Sequence, residues 1–390
     1  MNDYKFYLAR AEALGPALGG LRRALHRIPE PGNGESHTSA LIEAELRRLG
    51  LEIYRCMETA VVGVLRGALP GKTAALRADM DALPVAEESG CDFPSENEGW
   101  MHACGHDFHM TAALGAARLL SEERESLPGT VKFFFQPDEE GNGGAARMIA
   151  AGCMENPHVD AVFGAHVSPE QPAGTVGIRY GQFYAASNPF DITLHGKSTH
   201  GAQPENGVDA MDAAARLLLS LGKLRRELEE KYGRVIISTG VFRAGNARNI
   251  IAARAEMSGI IRTLGPDARR ETIEAIRNTA LTVAAETGTR AEIDIRDCHS
   301  GIVNHDSMSR LAEETALALF GPERVVRIET PTMTSEDFGC FIENTPGCFY
   351  HIGVGGDYPL HSSRFLPDTR HLPQAAALHA AVIRRFLEGE

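Results

Sequence analysis

Apolar positions at helical spacing predict helices over residues 4–27 and 38–49. The first ends at Ile28-Pro29-Glu30-Pro31-Gly32 and the second at Gly50. The period then shortens. Val61–Leu65 and Ala74–Ala78 read as apolar strands flanking a Pro70-Gly71 turn, and the second runs directly into Asp79-Met80-Asp81. An alanine-rich helix over 111–120 comes next, then an apolar strand over 130–135 broken by Lys132. A helix over 143–151 and a strand over 159–165 that delivers His166 complete the run. Strands alternating with helices in this way predict an α/β domain with a central sheet.

The pattern changes after about residue 180. Residues 190–194 alternate like a half-buried strand, 209–228 form a long helix, and 234–241 and 253–262 are again strand-like. A helix over 266–286 and a strand over 290–295 close the block. Two β-α-β units predict a compact inserted domain of mixed α/β type with one helical face and an exposed sheet edge. From about 297 the chain returns to helix (306–319), strand (349–352) and helix (374–387), with no internal repeat. The expected division is 1–183 and 296–390 for the first domain and 184–295 for the second.

Composition narrows the function. A chain of 390 residues is long for one ordinary domain and comfortable for two. An apolar share of 43% is enough for a large core and argues against disorder. The net charge of -13 argues against a nucleic-acid or anionic-membrane partner, since both leave a basic footprint. No run is long enough to span a membrane, and the N-terminal residues lack the apolar core of a signal peptide. Seven cysteines without paired spacing suit a reducing compartment, so the cytoplasm is the expected location.

Met101-His102-Ala103-Cys104-Gly105-His106-Asp107-Phe108-His109-Met110 concentrates three imidazoles, a thiol and a carboxylate. Cys104 and His106 flank a glycine, and thiolate plus imidazole suits zinc or another late transition metal. A helix N-terminus with polar decoration is the plainer alternative, and a Cys-His nucleophile is another. Asp79 and Asp81, Glu139 and Glu140, and His166 each follow an expected strand, where α/β sheets form their sites. His361 lies in a glycine-rich loop. If Cys104, His106, Glu140, His166 and His361 all bind metal, they are too many ligands for one zinc ion that must keep an open position, whereas two ions sharing a group would accommodate them. Composition and spacing alone do not pick this set out of 15 histidines and 52 carboxylates. Glu139, beside a ligand, is the natural base for the attacking water.

Four segments carry a resemblance: Leu76–Val85, His102–His109, Gln136–Glu140 and Leu360–Phe365. They resemble the hallmark segments of the binuclear metal-dependent aminoacylase/carboxypeptidase family. Within it they are similar to the branch of hippurate hydrolases, auxin–amino acid conjugate hydrolases and N-acetyldiaminopimelate deacetylases. The resemblance implies a phosphorylase/hydrolase-like α/β/α catalytic domain with an inserted ferredoxin-like α+β satellite domain that dimerises. It implies two divalent ions per subunit, zinc or manganese, with cobalt or nickel as alternatives. Cys104 would bridge the ions, and His106, Glu140, His166 and His361 would complete their shells. Asp79, Asp81 and His109 would orient those ligands; for His109 and His102, plain packing is the competing role.

By the same resemblance, a metal-bound hydroxide would hydrolyse the amide of an N-acyl amino acid, with Glu139 as general base. His200, in Gly196–Pro204, would support the oxyanion in a neighbouring subunit's site, and Asn249 and Arg262 would hold the substrate. A dipeptidase or carboxypeptidase on the same two-metal scaffold is the alternative. Three departures from the family pattern are Glu205 for a histidine, Ala252 for a proline, and Asp138 for an alanine. The last adds a charge near the base.

Overall fold

A computed structural model describes residues 4–141, 143–296 and 300–389. Parts of the expected domain ranges (residues 1–3, 142, 297–299 and 390) lie outside the described residues. In chain order the elements are α1 (Phe6–His26), α2 (Ser36–Arg48), β1 (Glu52–Arg55), β2 (Val61–Arg66), β3 (Leu69–Asp79), α3 (His106–Ser121), β4 (Pro128–Gln136), α4 (Gly144–Ala150), β5 (Ala161–Ser168), β6 (Val176–Ile178) and β7 (Gly181–Tyr184). Then follow β8 (Ala186–His195), α5 (Ala210–Tyr232), β9 (Ile236–Ala244), β10 (Arg254–Thr263), α6 (Pro266–Thr287), β11 (Arg290–Ile295) and β12 (Ile302–Asn304). The last are α7 (Asp306–Phe320), β13 (Val325–Arg327), β14 (Gly347–Gly353) and α8 (Leu372–Glu388). The chain divides into two compact units, one of Met1–Gly181, Val303–Thr330 and Asp337–Glu390, the other of Gln182–Ile302 and Pro331–Glu336.

The first unit is mixed α/β around an eight-stranded sheet of order β1-β2-β4-β3-β5-β14-β6-β13. Its centre is parallel: β4, β3, β5 and β14 run the same way, so their carboxyl ends face one side. Phe133, Phe134 and Phe135 of β4 are all buried, as an interior strand covered on both faces requires. Lys132, also buried, is accommodated by donating to the carbonyls of Cys153 and Glu155 at 2.9 and 2.6 Å. Helices α1, α3 and α8 pack against one another, and α8 lies on β3.

Two local expectations are corrected. β2 and β3 are not neighbours across a Pro70-Gly71 turn, because β4 lies between them and Pro70-Gly71 belongs to the start of β3. The turn signal is local, whereas the order is set by burying the apolar run of β4 between its neighbours. The helix expected from Thr111 begins instead at His106, since Gly105 provides the left-handed entry (φ 84). His166 lies inside β5 rather than after it.

The second unit has the order β-α-β-β-α-β, with an antiparallel sheet β11-β8-β10-β9. Phe190, Ile192 and Leu194 of β8 share a core with Ala213, Leu217 and Leu221 of α5 and with Ile276, Ala280 and Val283 of α6. Asp209 caps α5, accepting from the Met211 N–H at 2.8 Å.

Candidate metal centre

Asp79 ends β3 beside Gln136, which ends β4, so the segments leaving these strands emerge side by side. Between Cys104 and His106, Gly105 has φ 84, and a Cβ there would fall 2.6 Å from Val167 Cγ2. Only glycine satisfies both conditions, and the turn it permits sends the thiol and the imidazole into one space.

Hydrogen bonds fix two of the imidazoles. His106 Nδ1 donates to the Asp81 carbonyl at 2.8 Å, and its buried Nε2 has no hydrogen-bond partner among the described residues. His166 Nδ1 donates to the Val167 carbonyl at 2.8 Å, leaving Nε2 3.4 Å from Cys104 Sγ. Each therefore turns Nε2 toward the same interior, the nitrogen that would bind a metal once it has given up any proton. The His361 N–H donates to the Ala103 carbonyl at 2.9 Å, which ties its loop to the cysteine segment, and its Nε2 is 3.2 Å from Glu140 Oε1. The Glu140 N–H donates to Asp81 Oδ2 at 2.9 Å. Ligand atoms of Cys104, His106 and His166 lie within 4.8 Å of one another, as do those of Cys104, Glu140 and His361, and those of His106, Glu139 and Glu140. The groups overlap at Cys104, His106 and Glu140.

His109 is close by but committed elsewhere. Its Nδ1 bonds Asp79 Oδ1 at 2.6 Å, and its Nε2 accepts the Val167 N–H at 2.9 Å, so neither nitrogen is free for a metal. Asp79 Oδ2 accepts from Arg77 Nη1 at 2.6 Å, and Arg77 also reaches Asp337 and Gln136, all in the interior. This buried network behind the cluster escaped the sequence reading. The available signal was a lone arginine in the apolar run Ala74–Ala78. His102 is buried, both its nitrogens lack a hydrogen-bond partner among the described residues, and burial lowers its pKa to about 4.

The cluster is strongly anionic. Burial works against a charged His106, yet Asp79, Asp81 and Glu140 outweigh it and raise its pKa to about 10. Burial, then the charges of Glu140 and Glu139, push the Cys104 thiol well above its ordinary value. An unassisted cysteine nucleophile needs the opposite shift. The charge, the buried His106 Nε2 left without a hydrogen bond among the described residues, and the mixed S, N and O donors suit divalent cations.

In the second unit, His200 and Asn249 are adjacent. His200 bridges Ile250, and the Gly201 N–H donates to the Asn249 carbonyl at 2.8 Å. Both side chains are exposed, and His200 Nδ1 accepts the Ala202 N–H at 3.1 Å. Arg262 lies half-buried in β10, opposite Ser187 and Ile236.

A parallel-centred sheet whose strand ends gather thiol, imidazole and carboxylate donors defines a metal-dependent hydrolase. Comparison with known proteins agrees: the profile of peptidase family M20/M25/M40 matches residues 75–385, and the chain belongs to that family. It is 36% identical to thermostable carboxypeptidase 1 of Saccharolobus solfataricus over 94% of both chains. It is 34% identical to an N-acetylcysteine deacetylase of Bacillus subtilis, covering 97% of this chain and 98% of that one. A Bacillus subtilis structure described as a dinuclear metal-binding peptidase of the M20 family superposes with a TM-score of 0.85 at 32% identity, over 96% of this chain and 99% of the other. The chain is thus a hydrolase of a family whose members cleave amide bonds with dinuclear metal sites.

Proposed function

We propose that this protein hydrolyses the amide bond of N-acyl amino acids to a carboxylic acid and a free amino acid. The supporting observation is the convergence of Cys104, His106, Glu140, His166 and His361, with His106 and His166 both turned Nε2-inward by backbone carbonyls. These five residues would hold two divalent ions, zinc or manganese in the first instance and cobalt or nickel otherwise. Cys104, which like His106 and Glu140 belongs to two of the ligand groups, would be the ligand shared between them. Such ions, when bound, polarise a carbonyl and make water acidic near neutral pH.

The chain's own groups do the rest. Glu139 takes a proton from the attacking water and delivers one to the leaving amine. Asp81 holds the His106 side and the Glu140 backbone, while Asp79 acts through His109. His200, its Nδ1 engaged by Ala202, offers Nε2–H to the oxygen that gains charge. Asn249 and Arg262 hold the carbonyl and carboxylate of the substrate.

The first unit would be the α/β/α catalytic domain. The second has the strand order of a ferredoxin-like fold and would dimerise, placing His200 at the centre of a second copy. We place the protein in the cytoplasm as a homodimer or larger homo-oligomer.

Similarity to a carboxypeptidase supports a second reading, peptide cleavage on the same scaffold. Assays after metal reconstitution, comparing acetyl-, benzoyl- and indole-acetyl amino acids with dipeptides and with longer peptides assayed for C-terminal release, separate the two. Faster turnover of the N-acyl amino acids is expected, and preference for peptides would replace the first reading with the second.

A further inference from the structure

Asp138, the added charge before the glutamate pair, does not face the ligand cluster's imidazoles. Its backbone is left-handed (φ 57), a conformation aspartate tolerates at some cost. Its N–H, its carbonyl and its Oδ2 are all engaged. Its N–H donates to Glu35 Oε1 at 3.0 Å, and its carbonyl accepts from the Gly144 N–H at 3.1 Å. Its Oδ2 accepts from Asn33 Nδ2 at 2.8 Å and from Arg147 Nη2 at 2.6 Å. Arg147 Nη1 also donates to Asn33 Oδ1 at 2.9 Å, closing a triangle of side chains. The carboxylate is wedged between Gly32 and Gly141, where an added Cβ would come within 2.3 and 2.2 Å of Oδ1.

We propose that Asp138, clamped by Asn33 and Arg147, is a positioning residue: its carboxylate fixes the left-handed turn from which Glu139 reaches the attacking water. The inference rests on Glu139 being the general base. The next residue, Glu140, is tied separately through its N–H to Asp81 Oδ2. Loosening residue 138 therefore shifts the backbone that carries Glu139, while the Glu140 N–H keeps its anchor on Asp81. Displacement of a base by about 1 Å costs on the order of 100-fold in rate without changing what binds. The signature is a fall in kcat with little change in KM or metal content. Arg147 is partly exposed, with 42% of its side chain accessible, so removing it tests the clamp without excavating the interior.

The experiment compares wild type, Asp138→Ala, Asp138→Asn, Arg147→Ala and Glu139→Gln, measuring kcat, KM, zinc content and the folded fraction by circular dichroism. Asp138→Ala and Arg147→Ala are expected to lose about 10- to 100-fold in kcat at unchanged zinc content, with KM within about 3-fold. A double variant combining Asp138→Ala with Arg147→Ala, measured beside them, should be no worse than the weaker of the two single variants. Asp138→Asn keeps an oxygen acceptor for both donors and should recover most of the rate. Wild-type kcat in both Asp138→Ala and Arg147→Ala, or a loss that follows loss of zinc, would overturn the proposal. If Asp138→Ala does not fold, Arg147→Ala decides by the same criteria. Glu139→Gln keeps the two questions apart: if it still turns over, the base assignment fails. If it is inactive while the clamp variants are fully active, only the positioning role fails.

Discussion

Asp79 carries more at the residue scale than its position in the sequence suggests. One oxygen holds His109 and the other holds Arg77, and all three side chains are buried. Removing the charge by Asp79→Asn leaves Arg77 with one fewer buried anion. Breaking such a pair costs about 3 to 5 kcal/mol, measurable by urea unfolding of the variant against wild type. His26 makes a second buried pairing, with Asp107 at 2.7 Å and Glu87 at 3.0 Å. Burial disfavours its cation, but the Asp107 charge and the hydrogen bonds to Asp107 and Glu87 prevail and raise its pKa to about 9. Because the folded value lies above the ordinary 6.5, the contribution is complete below about pH 6.5 and disappears as pH rises through about 9. His26→Gln should therefore flatten that part of the stability profile by roughly 3 kcal/mol, followed by denaturant midpoints between pH 6 and 10. An unchanged slope would show that His26 is neutral in the fold.

The short turn entering α3 decides the geometry of the centre at the scale of elements. Gly105→Ala puts a Cβ where Val167 Cγ2 stands and asks alanine for φ 84. More than about 1 kcal/mol of stability should be lost, and zinc affinity should fall with it, read by competition with a chromophoric chelator. The elements themselves were largely legible in the sequence. Amphipathic periods placed α2, α5, α6 and α7 to within a few residues, and the alternation of β8 appears in its buried Phe190, Ile192 and Leu194. The short strands β1, β6, β7, β12 and β13 were not anticipated, since three or four residues carry too little period to read. Neighbour relations were not legible either. Nothing local to residues 61–78 says that β4, which begins only at Pro128, separates β2 from β3. The same holds for the site. The Cys-Gly-His spacing and the strand-end carboxylates raise metal chemistry in the sequence, but the particular ligand set is legible only through the family resemblance, because spacing does not select it from 15 histidines and 52 carboxylates. The carbonyls of Asp81 and Val167, which decide which nitrogen each histidine presents, belong to backbone whose direction only the fold supplies.

His200 supplies the test at the scale of the whole molecule. If it serves the centre of a second copy, Glu139→Gln and His200→Ala proteins, each inactive alone, should recover activity when unfolded together and refolded as mixed dimers. Random pairing leaves one intact centre in half of the dimers, so about a quarter of the wild-type activity should return. No recovery, with mixed dimers verified by differential tags, would place His200 at the centre of its own chain or outside the reaction. The large excess of acidic over basic groups, with a net charge of -13, fits a small-molecule enzyme rather than a nucleic-acid binder.

Metal stoichiometry, measured beside turnover in wild type and Cys104→Ala, tests the central claim most directly. Two ions per chain are expected in wild type, with hydrolysis of N-acyl amino acids abolished by chelator and restored by zinc or manganese. Cys104→Ala should lose metal and activity together. Full metal content in Cys104→Ala, or turnover that survives complete metal removal, would contradict a two-metal centre built on Cys104.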